Sequence, residues 1–391
     1  MLTSTLPLVA ASAGPASTSV VKRRPGCFTE RDHASISFSG SWIDRQSMPY
    51  NFSCPFMRPW ENCAYDDRQR AEVIGRRRFE PQECKLRHGK AFVLSFIKRF
   101  GGNRTIFFYG ESVAVQQFVS LACTVHAAAP ESWLMGRPGR GGVATKLFGW
   151  KAPKVLTKRC HGERLCHYQN ACTRFALGRS RLRICVCSIV VLEADAYRRC
   201  LRSNHPSPRD VVVYGSIGVH YTGEGDLHQD NRNITQLAGS EVGLLLSELG
   251  FHQREGRTGS SASWYASDRS PMVFWREVLP QHFPAPGGHY WHGLSPPGSH
   301  YNVKRDVPGQ CDSSHTLSEM YAHHRWNNVT LPIVERTPGV QVMRVFRASA
   351  FAWDTHLTFG DCTHWCQPGV PDHWTELLLN SLMAGSSADD G

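Results

Sequence analysis

A compact apolar run at residues 105–109, Thr-Ile-Phe-Phe-Tyr, constrains the fold of this chain more than any other feature. Such a run is typical of a strand that is buried on both faces of a parallel sheet. Gly110, Glu111 and Ser112 follow at once, and residues 113–125 carry apolar side chains at helical spacing. The segment therefore predicts a strand, a tight turn and a helix, with Ser112 at the carboxyl edge of a sheet.

The same alternation recurs along the rest of the 391 residues. Apolar periodicity predicts strands at residues 183–192, 210–214, 272–275 and 340–346, and helices at residues 91–100, 236–249 and 374–382. Strands that alternate with helices favour an α/β fold with a doubly wound, mainly parallel sheet.

Composition excludes several classes of protein. Hydrophobic residues make up 41% and charged residues 20% of the chain, which rules out wholesale disorder. No apolar run approaches the ~18 residues of a membrane span, so we expect membrane association only if an anchor precedes this sequence. The formal charge is +11, but the basic residues are scattered and form no recognisable nucleic-acid module. We therefore predict no nucleic-acid partner.

Cysteines and glycosylation sequons indicate the compartment. The fourteen cysteines form no C-x-x-C pair, and four N-x-S/T sequons occur, at Asn51, Asn103, Asn233 and Asn328. Together they favour the secretory pathway, in the Golgi lumen or outside the cell, where disulfides persist. The alternative is a cytosolic protein with many buried thiols. The apolar residues 6–13 lack a basic region before them, so the signal is atypical or the true start lies upstream.

The texture of the chain predicts its organisation. Residues 1–24 are rich in Ser, Thr, Ala and Pro, typical of a leader or flexible stalk. Residues 25–90 form a cysteine-rich lobe, which we expect to be stapled by Cys27, Cys54, Cys63 and Cys84. Residues 91–385 form the α/β domain, with a surface insertion at about 130–181, and residues 386–391 form a tail. Cys185 and Cys187 are two residues apart on one predicted strand, so their sulfurs point to the same face. Because a disulfide between such close neighbours is strained, separate disulfides are favoured.

Ser112 and a loop near the end of the chain are candidates for acyl chemistry. A serine at a helix N-terminus lies near backbone amides that can bind an oxyanion, although it can equally be a simple N-cap. Asp361 stands three residues before His364, so one loop supplies an imidazole base and a carboxylate to orient it. The alternative is that Asp361 caps the next helix and His364 is an ordinary loop residue.

These motifs resemble a known family. The sequence DCTHWCQPGVPDHW at 361–374 is similar to the C-terminal signature of the trichome birefringence-like, or PC-esterase, family of polysaccharide O-acetyltransferases in the SGNH (GDSL) group. The front of the chain resembles its cysteine-rich segment at Cys27, SGSW 39–42, NFSCPF 51–56, Asn62-Cys63 and Cys84. FFYGESVAVQQF at 107–118 resembles its GDS block, and FWREVLPQHF at 274–283 resembles a block usually written with Ser-Pro-x-His. Residues 130–181 have no counterpart.

The resemblance implies an SGNH-like fold with a disulfide-rich N-terminal lobe. It makes Ser112 the nucleophile, His364 the general base and Asp361 the acid that orients it. Oxyanion or substrate contacts are assigned to Gly110, Glu111, Gln117, Ser216, Gly218, His220 and Trp365. Trp365 is assigned as a sugar contact because indole faces stack on sugar rings, with core packing as the equal alternative.

Four positions depart from the family pattern. Glu111 replaces an aspartate, and Leu279 stands where a serine precedes Pro280. Residues 114–117 read Ala-Val-Gln-Gln, so a cationic residue expected near the oxyanion is missing. Ser216 takes the place of a side-chain amide that holds the oxyanion, which leaves a single donor there.

We therefore predict an O-acyltransferase, most simply an O-acetyltransferase, that acts on hydroxyls of a polysaccharide or glycan. The acyl donor would be acetyl-CoA or another acetyl carrier, with no bound cofactor. His282, His289 and His292 do not complete a familiar metal-ligand spacing, so no metal is predicted. The alternatives are a carbohydrate acetyl-esterase and a catalytically impaired relative that only binds glycans.

Overall fold

The structure is a computed structural model. It describes residues 35–36, 39–82, 84–134, 158–159, 165–166, 170–189, 194, 197–198, 200–201, 206–220, 234–254, 263–283, 311, 314–357 and 361–385. The predicted leader at 1–24 and tail at 386–391 lie outside these residues.

The described elements alternate between strands and helices over most of the chain. The strands are β1 (Ser35–Ile36), β2 (Gly40–Asp44), β3 (Arg77–Pro81), β4 (Gly102–Gly110), β5 (Lys158–Arg159), β6 (Leu165–Cys166), β7 (Asn170–Leu177), β8 (Ser180–Ser188), β9 (Val211–Gly215), β10 (Phe251–Arg254), β11 (Ser263–Ala266), β12 (Met272–Arg276) and β13 (Val340–Met343). The helices are α1 (Arg68–Arg76), α2 (Lys90–Phe100), α3 (Ser112–Ala128), α4 (Ile234–Glu248), α5 (Leu317–His323), α6 (Arg325–Val334), α7 (Phe346–Ala350) and α8 (Val370–Gly385).

Seven strands form the central sheet in the order β1-β13-β12-β9-β4-β8-β7. All neighbouring pairs in it are parallel except β7 with β8. β4 lies inside the sheet, where its last residue, Gly110, pairs with Gly215 of β9 on one side and Ser188 of β8 on the other. The carboxyl ends of three parallel strands, β4, β8 and β9, therefore meet beside the turn that follows β4.

Each face of the sheet is covered by its own apolar cluster. Ile106 and Phe108 of β4 pack with α2, α3 and α8 on one face, whereas Phe107 and Tyr109 pack with α4 and α6 on the other. Successive side chains of a strand point to opposite faces, so the apolar run at 105–109 supplies both clusters. The predicted doubly wound α/β fold is confirmed.

Several predicted boundaries differ in the structure; the predicted strand 183–192, for example, is β8, Ser180–Ser188. Residues 170–177, assigned to a surface insertion, form β7 and pair antiparallel with β8 along its length, so they extend the central sheet. The predicted strand 340–346 ends at Met343, because Glu277 accepts a hydrogen bond from the Phe346 amide at 2.8 Å where α7 begins. The closing helix begins at Val370, four residues before the predicted start.

The N-terminal segment is tied to the α/β domain. The prediction that its cysteines staple the lobe internally is wrong for two of them, because Cys54 bonds Cys123 of α3 and Cys63 bonds Cys366. Cys84 is also disulfide-bonded, and Cys27 lies outside the described residues. The antiparallel strand pair β2 and β3 packs on α8, where Arg45 pairs with Glu376 at 3.1 Å. A segment too small for its own core is stabilised by docking on a larger one.

The remaining described disulfides lie within the α/β domain. Cys185 and Cys187 form separate bonds, to Cys172 and Cys200 respectively, as predicted from their spacing. Cys311 bonds Cys362, which precedes the predicted base His364 by two residues. Within the described part of the chain, the helices are too short or too polar to cross a bilayer.

Candidate active site

The turn after β4 fixes Ser112 at the sheet edge. Gly110 has φ 142°, and a Cβ there would lie 2.0 Å from the Gly215 carbonyl oxygen, so only glycine fits. Glu111 caps α3, because its carboxylate accepts the Val113 amide at 2.8 Å. Ser112 is the first helical residue rather than the N-cap. Its hydroxyl is therefore available for other contacts.

Ser112, His364 and Asp361 form one chain of contacts. The Ser112 Oγ lies 2.6 Å from His364 Nε2, and His364 Nδ1 lies 2.8 Å from Asp361 Oδ2. The second oxygen of Asp361 accepts the backbone amides of Thr363 and His364, each at 3.1 Å. Asp361 therefore orders its own loop. It does not cap α8, where Asp372 accepts the Gly369 amide at 2.7 Å instead.

The charges around His364 stabilise its protonated form. Burial disfavours that form, but Asp361 beside the ring, assisted by Glu111, outweighs it and raises the pKa of His364. Burial would raise the pKa of Asp361, yet the adjacent His364 holds it well below its usual range. An ionised Asp361 keeps the proton on Nδ1, which leaves Nε2 of the neutral ring free to accept one from Ser112.

Glu111 competes with His364 for the proton of Ser112. Its Oε2 accepts the Ser112 hydroxyl at 2.7 Å, while His364 Nε2 lies 2.6 Å from the Ser112 Oγ. A hydroxyl has one proton to donate. When His364 is charged, the Ser112 hydroxyl donates its hydrogen bond to Glu111. When His364 is neutral, the hydroxyl can donate to the imidazole instead.

Partners distant in sequence hold the loop that carries His364. The Gln116 side chain clamps the Trp365 backbone, donating to its carbonyl at 2.8 Å and accepting its amide at 3.3 Å. His356 Nδ1 contacts the His364 carbonyl at 2.8 Å. The disulfides of Cys362 and Cys366 bracket the same loop. None of these contacts was predicted, although Gln116 stands in the GDS-like block.

A buried cation stands beside the site, contrary to the sequence prediction that one is missing. Arg276 ends β12, is 1% exposed, and lies 3.7 Å from the Glu111 carboxylate. Its Nη1 donates to the Val113 carbonyl at 3.2 Å and to Gln117 Oε1 at 3.0 Å. Burial lowers the pKa of Arg276 to about 10 against the opposing effect of Glu111, so it stays charged near neutral pH.

Gly215 makes room for this cation. A Cβ at Gly215 would lie 2.4 Å from the Arg276 Nη2. The guanidinium therefore occupies the space that any larger residue at the end of β9 would fill. In the sequence Gly215 follows the predicted strand at 210–214 and Arg276 lies in the FWREVLPQHF block, and the pairing of β9 with β12 brings the two together.

Ser216 is engaged elsewhere, which corrects its assignment as an oxyanion donor. Its hydroxyl donates to the buried Glu241 carboxylate, with oxygens at 2.8 and 3.1 Å. Glu241 also accepts from Tyr214 and Trp326, so this cluster is structural. Gly218 packs against Trp326, where a Cβ would lie 2.4 Å from the indole. The side chain of His220 lies outside the described part of the chain.

Trp365 belongs to the core, which corrects its assignment as a sugar contact. It is fully buried, stacks on His356 at 4.6 Å between ring centroids, and meets Trp374 edge-on. His282, one of the three histidines considered for metal binding, contacts His356 at 2.6 Å. His289 and His292 lie outside the described residues, within which no three His, Cys, Asp or Glu side chains cluster as metal ligands would.

The fold is SGNH-like, and at the edge of its sheet Ser112, His364 and Asp361 are in contact. Residues 210–381 match the PC-Esterase family, described as a GDSL/SGNH-like acyl-esterase family found in Pmr5 and Cas1p. The resemblance to the trichome birefringence-like and PC-esterase proteins is thereby confirmed. The match supports an enzyme that transfers or hydrolyses acyl groups.

Individual relatives extend over nearly the whole chain. Trichome birefringence-like 43 of Arabidopsis thaliana is 22% identical over 369 residues, covering 88% of this chain and 87% of the relative. Trichome birefringence-like 38 of the same plant is 25% identical, with coverages of 88% and 83%. Probable xylan O-acetyltransferase 11 of Oryza sativa subsp. japonica is 24% identical over 370 residues, with coverages of 88% and 85%.

Proposed function

We propose that this protein is an O-acetyltransferase that acylates hydroxyls of a polysaccharide through an acetyl-enzyme. The observation that carries the proposal is the unbroken chain from Ser112 through His364 to Asp361, at 2.6 and 2.8 Å. A serine becomes nucleophilic when a neutral imidazole takes its proton and a carboxylate orients that imidazole. The name of the rice relative supports a polysaccharide such as xylan as the acceptor.

The proposed reaction has two steps. Ser112 Oγ attacks the acetyl carbonyl of a donor such as acetyl-CoA while His364 Nε2 takes its proton, and the donor's leaving group departs with that proton. A sugar hydroxyl then gives its proton to His364 and attacks the acetyl-serine, and Ser112 leaves as it recovers the proton. Asp361 stabilises the imidazolium in both steps. We place this reaction in the secretory pathway, in the Golgi lumen or outside the cell, on the strength of the sequons and disulfides.

Arg276 balances the charge of the site in this proposal. The buried Glu111 carboxylate would otherwise stand next to the negative oxygen that develops on the acyl carbon. The guanidinium 3.7 Å from Glu111 offsets that charge. The Val113 and Ala114 amides at the start of α3 already donate to the carboxylate and the carbonyl of Glu111, so they offer no donor to the oxyanion.

The test is mass spectrometry after incubation with isotopically labelled acetyl-CoA or a labelled acetyl ester. We expect an acetyl adduct on the peptide that contains Ser112, and none in Ser112→Ala. The His364→Ala variant should form the adduct far more slowly. A label on another residue, or no label with any acetyl carrier, would contradict the proposal.

A carbohydrate acetyl-esterase is the second candidate, because the matched family is described as acyl-esterase. The two enzymes differ only in whether a sugar hydroxyl or water attacks the acetyl-serine. A time course with acetylated xylan and no free acceptor separates them, since an esterase releases acetate continuously. The third alternative is a relative that only binds glycans. It would fail to react at Ser112 with a serine-directed phosphonate, whereas both enzymes would react.

A further inference from the structure

One exposed aromatic side chain lies against the proposed base. Trp60 belongs to the short 3-10 helix Pro59–Glu61 and is 46% exposed. Its ring centroid is 5.4 Å from that of His364, with the two planes nearly perpendicular. Trp365 and Trp374 nearby are fully buried. An indole left open to solvent beside His364 therefore provides a contact surface at the site.

The orientation of this indole is fixed by a neighbouring ion pair. The Arg58 guanidinium lies 4.2 Å from the Trp60 ring centroid and covers one face of it. Arg58 itself forms two hydrogen bonds with Glu61, one of them from Nε at 2.7 Å, and the Glu61 side chain is fully buried. The guanidinium is thus anchored, and it holds the indole that it covers.

The same short segment is bonded to the loop of His364. The Gln367 amide donates to the Glu61 carbonyl at 2.9 Å, and Cys63 forms a disulfide with Cys366. Trp60 and His364 are therefore held at a fixed separation. Such fixed aromatic side chains bind ligands with little loss of conformational entropy.

The proposed reaction brings a sugar to this surface. An acceptor hydroxyl must come within about 3 Å of His364 Nε2 to give up its proton. Because the Trp60 and His364 ring centroids are 5.4 Å apart, the sugar ring that carries this hydroxyl then lies next to the Trp60 indole. The C–H groups on a pyranose face carry slight positive charge, which the negative face of an aromatic ring attracts.

We infer that Trp60 is a stacking platform for a neutral sugar residue of the acceptor chain, a subsite supplied by the N-terminal segment. This inference rests on the proposed function. The sugar is neutral because the charge of Arg58 is already balanced by Glu61, so the platform offers no free cation to a uronate. Trp60 would thereby position the acceptor, whereas Ser112, His364 and Asp361 carry out the chemistry.

Binding is tested first, in the Ser112→Ala background, by calorimetry with xylohexaose, cellohexaose and hexagalacturonate. Trp60→Ala should weaken binding of the neutral oligosaccharide about tenfold, or ~1.4 kcal/mol, and Trp60→Phe should retain most of the affinity. The matched control is Tyr265→Ala. Tyr265 is 47% exposed on β11, and its neighbour Ala266 lies close to Gly339, just before β13 begins at Val340. The amino ends of the parallel strands lie away from Ser112, so the loss of Tyr265 should change nothing.

Catalysis is tested second, in the otherwise unchanged protein. Trp60→Ala should lower kcat/KM for transfer to the hexasaccharide about tenfold, through KM, while hydrolysis of a small activated acetyl ester stays within about twofold. An equal fall in ester hydrolysis would show that Trp60 only supports His364. That outcome would overturn the inference. So would hexasaccharide binding that Trp60→Ala leaves unchanged, no hexasaccharide binding in the Ser112→Ala background, or tighter binding of hexagalacturonate than of the neutral oligosaccharides.

The two proposals fail separately. Absence of an acetyl adduct at Ser112 in the unchanged protein contradicts the proposed function, yet the binding comparison still decides whether Trp60 contacts a sugar. A normal adduct with no effect of Trp60→Ala on binding or transfer refutes the subsite alone.

Discussion

The turn that carries Ser112 and the loop that carries His364 are in contact, but they are held by different means. Neighbours in sequence fix the turn, since Gly110 permits its backbone and Glu111 caps the helix that follows. Partners far along the chain fix the loop, through the Cys63–Cys366 disulfide and the Gln116 clamp. The position of Ser112 is therefore a local property, whereas that of His364 depends on the whole domain and on the N-terminal segment.

This difference explains why the N-terminal segment matters to an active site that it does not line with catalytic groups. Two disulfides connect it to α3 and to the loop of His364. Docking of the segment on the α/β domain is thus coupled to the placement of His364. Changes within the loop, beside the turn and in its distant supports should consequently have graded effects.

The largest effect is expected within the loop itself. Asp361→Asn keeps an oxygen for the two loop amides but disfavours the tautomer that leaves Nε2 free, so kcat should fall by up to ~10⁴-fold with little change in substrate affinity. Melting temperature and initial rate are measured on the same protein. The control Asp354→Asn, which removes a partner of Arg77 instead, should retain near-normal activity. Near-normal turnover in Asp361→Asn with lowered stability would make Asp361 merely a structural cap.

Next comes the cation beside the turn. Arg276→Met leaves the buried Glu111 charge unpaired, so we expect about 10²-fold lower kcat and ~3–5 kcal/mol less unfolding free energy. Gly215→Ala keeps the cation but places a methyl group against it, and should lower kcat in the same direction. Arg45→Met breaks the Arg45–Glu376 pair instead, and should cost stability alone. Full kcat in folded Arg276→Met would exclude Arg276 from the electrostatics of the reaction.

Removal of a distant support should have a smaller effect on rate. The Cys63→Ser and Cys366→Ser double variant loses a bond between residues 303 apart, which should cost ~2–5 kcal/mol of unfolding free energy. It should also lower kcat roughly tenfold, because the base is less well held. The Cys172→Ser and Cys185→Ser double variant is the control, since that bond joins β7 and β8 at the sheet edge. Equal kcat in the two double variants would show that the loop does not need its tether.

The smallest expected effect is a displacement of the pH profile. Glu111 is one of the charges that raise the pKa of His364, so Glu111→Gln should lower that pKa. The base acts in its neutral form, and kcat/KM falls as pH drops through its pKa. The acid limb of the profile should therefore move to lower pH in Glu111→Gln. The control is Glu248→Gln, which removes a carboxylate at the end of α4 that is paired with Arg198. A limb that stays in place or moves to higher pH contradicts this account.

The sequence alone determined the central strand, the Ser112 turn and the Asp361-x-x-His364 loop. Each of these is specified within a few residues: an apolar run, a glycine before a helix cap, and a carboxylate three residues before an imidazole on one loop. Their signals survive in a single sequence because the interactions that form them are short in range. The pairing of Cys185 and Cys187 with separate partners followed from strand periodicity in the same way.

Only the tertiary structure decided which other side chains reach the site. Ser216, which the sequence assigns to the oxyanion, donates its hydrogen bond to Glu241 instead. Trp365 follows His364 in the sequence but is buried in the core against Trp374. Arg276 and Trp60 reach the site from segments that are distant in sequence from Ser112 and His364. A side chain's neighbours depend on which strands pair and which segments dock. Those contacts are set by burial and long-range pairing over the whole chain, so no local pattern encodes them.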